Sequence, residues 1–142
     1  MILIDNKGQV SAEYLLLFVV ILLILSAVTI PLVSDSIDAS NDVSWASDAR
    51  SAVNSIASAV DIVYSNGPGA KRTLNVYIPE TMNFKTDSKT ISLSVVLSDG
   101  TTKQVNATTQ YPMSTNDIDL NKGWRNVTVK WNNGESSIQV TV

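Results

Sequence analysis

Among side chains that commonly carry catalytic chemistry, this sequence has neither Cys nor His. That removes disulfide frameworks, Cys/His zinc sites, thiol nucleophiles and any Ser-His-Asp relay. Chemistry is left to a few carboxylates and amides in particular settings. Glu13 stands at the head of an uncharged stretch, residues 14–34, in which residues 15–25 read LLLFVVILLIL. Gly8 lies five positions before it; lacking a side chain, its carbonyl is open to close approach by a protease, although a lone glycine more often marks a turn. Asn106 and Asn126 open Asn-Ala-Thr and Asn-Val-Thr triplets, which makes them candidate N-glycosylation sites, although such triplets are common by chance and an unmodified strand asparagine is the default. Asp117-Ile118-Asp119-Leu120-Asn121 starts like a calcium loop. Lys122 then stands where such a loop needs glycine, and Thr128 where it needs a bidentate acid, so a solvated loop is expected. Asp35, Asp38 and Asp42 fall on one helical face as solvated charge. No metal and no cofactor is expected.

The elements that must position these groups begin with the apolar run. Its uncharged residues 14–34, at 1.5 Å rise each, make a helix of about 31 Å, the thickness of a bilayer's hydrocarbon core. The other residues of a 142-residue chain cannot surround such a helix with apolar partners. A secretory signal would open on a positive region and close on a small-x-small site. Here one lysine, Lys7, precedes the run, and Ala27-Val28-Thr29 matches that site poorly, so the run stays in the mature protein. Lys7 lies before the span; Asp35, Asp38, Asp42 and Asp48 follow it. This places the N-terminus in the cytoplasm and residues 35–142 outside.

The junction reads Lys7-Gly8-Gln9-Val10-Ser11-Ala12-Glu13-Tyr14, with the apolar run directly after it. It resembles the class III signal peptides of archaeal type IV pilins, matching their Gln-x-Ser-x-Glu pattern at Gln9, Ser11 and Glu13. The resemblance covers about the first thirty residues. It implies a prepilin-type peptidase that cuts after Gly8 on the cytoplasmic side, leaving Gln9 as the first mature residue and the helix intact. It also implies that Glu13 engages the N-terminal end of an adjacent subunit and sets the axial register of a filament. For an isolated anchor, Glu13 would simply face water at the membrane surface. A terminal glutamine can cyclise to pyroglutamate and lose its ammonium charge; Glu13 would then accept a hydrogen bond or take up a proton. Tyr14 suits either an interfacial aromatic or a packing residue in a helix bundle.

Helical patterning continues past Pro31, where the proline and the polar residues 34–44 predict a bend or a loosened turn. Ala49, Val53, Ile56, Val60 and Val63 form an apolar stripe, and Asn66-Gly67-Pro68-Gly69 ends the helix. Beyond residue 70 the period becomes two, predicting antiparallel strands at 73–78, 91–97, 127–131 and 138–142. Asn133-Gly134 predicts a two-residue hairpin pairing Val129 with Ile138 and Val127 with Val140. Asp99-Gly100 predicts a three-residue loop with a bulge, pairing Val95 with Val105. The sheet should cover the stripe from Ala49 to Val63, with helix and distal domain packing as one unit. Trp45, Trp124 and Trp131 are expected in the core or a subunit interface rather than as adhesive aromatics.

The expected fold class is therefore α+β: a long N-terminal hydrophobic and amphipathic helix packed against a small antiparallel β domain. Its parts are a leader (1–8), a membrane or filament-core helix (9–34), an amphipathic continuation (35–66) and the β domain (67–142). The resemblance implies a structural subunit whose partners are copies of itself, the prepilin peptidase, the pilus assembly machinery, the membrane before assembly, and surfaces or other cells. A minor pilin of the same system and a non-polymerising, membrane-anchored binding module are the alternatives. An enzyme is disfavoured, and a net charge of −3 argues against nucleic acid as a partner.

Overall fold

The computed structural model describes the backbone from Asn6 and the side chains of residues 11–142. One helix, α1 (Asn6–Asn66), precedes seven strands: β1 (Lys71–Ile78), β2 (Met82–Asp87), β3 (Thr90–Val96), β4 (Thr102–Thr108), β5 (Asn116–Leu120), β6 (Gly123–Lys130) and β7 (Gln139–Thr141). The expected α+β class and the helix stop at Asn66 are both observed. Gly67 ends α1 with φ +85°, donating its N–H to the Tyr64 carbonyl at 3.0 Å. The expected leader falls partly on residues 1–5, outside the described residues.

Helical structure runs through Pro31 and residues 34–44 without the loosened turn that the sequence predicts there. Proline removes one N–H from the ladder. Inside an apolar helix, local adjustments can absorb that loss, and the Ser36 hydroxyl donates to the Leu32 carbonyl at 2.8 Å just beyond it. The chain forms two compact units, one ending at Ser40 and one spanning Asn41–Val142. Packing of helix and β domain as one unit thus holds only for the helical residues 41–66. Sequence periodicity could not place that boundary, because it falls inside an unbroken helix.

In the second unit the strands form two antiparallel sheets, ordered β1-β6-β7 and β4-β3-β2-β5. The predicted stripe is the helix's contribution to their shared core: Ala49, Val53, Ile56, Val60 and Val63 are all buried, with Ala52 and Ala59 beside them. Small alanines let the helix backbone approach the sheets, while Ile78, Phe84, Ile91, Leu93, Val127 and Val129 fill the space from the strands. Asp42, expected to be solvated, instead accepts from the Ser98 N–H (2.9 Å) and hydroxyl (2.8 Å). Asp61 accepts from the Gln110 N–H at 3.2 Å. Both tie the helix to loops of the sheet. Phe84, fully buried on β2, is the largest core side chain. Phe84→Ala should cost about 3–5 kcal/mol, read as a fall in the denaturant midpoint of the β domain followed by tryptophan fluorescence.

Both hairpins depart from their predicted registers by two residues. At β3–β4 the loop is three residues long: the Leu97 N–H donates to the Thr101 carbonyl, and the Gly100 N–H, with φ +81°, donates to the Leu97 carbonyl. The Asp99 carboxylate closes it by accepting from the Thr101 N–H and hydroxyl at 2.8 and 2.6 Å, bonds that hold its pKa below the ordinary value. The pairing is Leu93 with Val105 and Val95 with Lys103, instead of Val95 with Val105. At β6–β7, Val129 pairs with Val140 rather than Ile138, and Val127 faces Leu74 of β1. A two-residue loop of the expected kind needs positive φ at both central positions, and only Gly134 has it. Ile138 is drawn away instead, donating to the Pro112 carbonyl at 3.0 Å and accepting from the Ser114 N–H at 2.9 Å.

Strands β2 and β5 were not predicted. Residues 117–121, read as a solvated loop, lie largely in β5, with Asp117 and Asp119 outward and Leu120 buried. Asn83 on β2 donates to both carboxylates, at 2.9 and 3.0 Å. These carboxylates therefore serve as cross-strand acceptors.

Candidate functional site

The first candidate site is the N-terminal part of α1. Every side chain from residue 11 to residue 41 is exposed. Leucine, isoleucine, valine and phenylalanine surround the helix on all sides from Leu15 to Leu25, so no polar stripe separates a wet face from a dry one. A helix apolar all round belongs in lipid or among other apolar helices. This one is long and apolar enough to cross a membrane.

Glu13 and Tyr14 sit where this surface begins, both exposed, with Tyr14 at 71%. Ser11 and Glu13 lie two positions apart and so on different sides of the helix. Lys7, Gly8 and Gln9 lie at the start of α1, and their side chains fall outside the described residues. The sequence motif is therefore contiguous with the helix whose surface requires covering.

A second set of residues lies on the outer face of β1 and β6. The buried positions of β6 are Val127 and Val129, which leaves Trp124, Asn126, Thr128 and Lys130 on the opposite face. Asn126 is exposed opposite Asn75, and Thr128 shares a 3.3 Å hydroxyl contact with Thr73. Asn106, the other triplet asparagine, is exposed on β4.

The three tryptophans separate. Trp45 and Trp131 pack partly buried against the core, and Trp131 stacks on Tyr64 with ring centres 5.2 Å apart. Trp124 leaves the core and is 67% exposed, tilted at 57° against Tyr77 at 5.4 Å. Strand alternation in the sequence already assigns Trp124 to the polar face, since it shares parity with Asn126. Sequence reasoning did not single out Tyr77, because its role depends on the pairing of β1 with β6. Among the described residues no cluster of three acids is arranged to hold a metal ion.

Residues 6–32 match the family model of the class III signal peptide. With the exposed apolar helix and the antiparallel β domain, the match marks a type IV pilin-like protein carrying such a signal peptide. It is a membrane-anchored precursor, processed by a prepilin peptidase and handled by pilus assembly machinery, and it points to a structural pilin rather than an enzyme. Comparison with curated proteins and with solved structures finds no match.

Proposed function

We propose that the precursor is cut after Gly8 and that the mature chain, residues 9–142, polymerises through its N-terminal helix into an archaeal type IV-like surface filament used for adhesion. The observation that carries this reading is the fully exposed apolar helix directly after the signal motif. A contact between copies that repeats without closing gives a helical filament. Bundling such helices transfers their apolar surface from lipid to protein, where association rests on close packing. In that bundle Glu13 is buried and needs a partner, which the N-terminal end of an adjacent subunit supplies.

We further infer that the external domain is glycosylated, on the strength of two exposed Asn-x-Thr asparagines, Asn106 and Asn126. In that step the side-chain amide nitrogen bonds to the anomeric carbon of a lipid-phosphate-linked saccharide. The carbon–oxygen bond to phosphate breaks, the lipid phosphate leaves with the electron pair, and the amide gives up one proton. Electron microscopy of filaments sheared from cells, with mass analysis of their subunit, tests the reading. Filaments whose repeating subunit is this chain starting at Gln9 are expected; filaments without it would refute the polymer.

A further inference from the structure

Trp124 is the most exposed aromatic ring of the β domain. An indole left 67% exposed on a strand face is expensive in water, and neither sheet covers it. The outward face of β1 and β6 sets this flat apolar ring near the amides of Asn126 and its cross-strand neighbour Asn75, a pairing that meets a sugar's two kinds of surface. A pyranose presents C–H bonds on one face and hydroxyls around its edge.

The sequence also indicates where such a sugar would come from. Asn126 lies two positions after Trp124 on the same strand and the same face, about 6.8 Å along the chain, and opens the Asn126-Val127-Thr128 triplet. The geometry points to Trp124 as the platform on which the first sugar of a glycan N-linked to Asn126 stacks, with Tyr77 as the wall behind the indole. This rests on the proposed glycosylation of the external domain. It also separates the two triplets. Asn106 has Gln104 and Thr108 as its same-face strand neighbours and Ser92 across from it, with no aromatic ring among them. Asn126 is the site whose glycan is held to the protein surface.

The test uses the full chain from cells that modify it, dispersed in detergent, and reads two quantities. Peptide mass spectrometry reports whether Asn126 carries a saccharide. Acrylamide quenching of tryptophan fluorescence reports the exposure of Trp124, since Trp45 and Trp131 are partly buried. A modified Asn126 is expected in the native chain, with quenching that rises in Asn126→Gln and no such rise when Asn126→Gln is combined with Trp124→Phe. The surface position of Asn126 makes the glutamine variant compatible with the fold, and near-native far-UV circular dichroism checks this. An unmodified Asn126 overturns glycosylation at this position and the platform with it. A modified Asn126 whose removal leaves quenching unchanged overturns the platform alone. Shielding that appears only in assembled filaments would assign Trp124 to a contact between copies and also overturn the platform.

Discussion

Gly8→Trp should leave the chain in the membrane as a precursor heavier than the mature protein by its first eight residues. The obstacle is steric. A peptidase that cuts after residue 8 must bring its reacting groups against that residue's carbonyl, and only glycine has no Cβ to obstruct them. A fall in processing would not trace to a weakened helix, because replacing glycine inside a helix gains stability, up to about 1 kcal/mol for the best helix formers. Nor would it trace to failed insertion, since the uncharged residues 14–34 are untouched. The retained leader would carry Asp5 and Lys7 to the head of the helix, so uncut copies should also be excluded from filaments. Immunoblotting of membrane fractions with intact-mass measurement reads the result; wild-type processing in this variant would remove the assignment of Gly8.

Glu13→Ala should abolish filaments while the chain remains processed and membrane-bound. A carboxylate at the centre of a bilayer costs on the order of 3 kcal/mol, so its removal cannot impair anchoring. Burying it in a helix bundle is a different matter. Where one partner of a buried pair is deleted, the other is left uncompensated at about 3–5 kcal/mol. That corresponds to about two to four orders of magnitude in the equilibrium of each subunit addition. Glu13→Gln then distinguishes the state of the mature N-terminus. If Gln9 keeps its ammonium, the glutamine variant should fail nearly as badly as alanine. If Gln9 has cyclised, the side chain at position 13 needs only a hydrogen bond, and glutamine should restore much of the assembly. Counting sheared filaments per cell, with membrane-fraction abundance as control, reads both. Unchanged filament number in the alanine variant would favour a chain that does not assemble through this helix.

What could be read from the sequence alone differed along the chain for physical reasons. The signal motif and the uncharged run were legible because they are local: their meaning is carried by adjacent residues and not by tertiary contacts. The stripe of Ala49, Val53, Ile56, Val60 and Val63 was legible because burial on one helix face imposes its own period, and all five are buried. In strands, alternation fixes which face a residue occupies but not its partner. The pairing of Leu93 with Val105 and Val129 with Val140 shows this, since a shift of two residues keeps every side chain on its face.

Loop chemistry decided those registers: Asp99 closing on Thr101 in one hairpin, and Ile138 captured by residues 112–114 in the other. Strand β5 was missed because Asp117 and Asp119 resemble loop residues until Asn83 of another strand accounts for them. The exposure of Trp124 beside Asn126 required both the alternation and the packing of the fold, which leaves this indole 67% exposed.

In the proposed filament, the helix left bare in the isolated chain is the part that copies of the chain cover for one another. A helical reconstruction of filaments sheared from cells tests it most directly. Residues 14–34 are expected to lie bundled along the filament axis, with Glu13 at a subunit junction, the chain beginning at Gln9 and the β domain on the outside. A filament built through the β domain, with these helices absent or facing solvent, would contradict it.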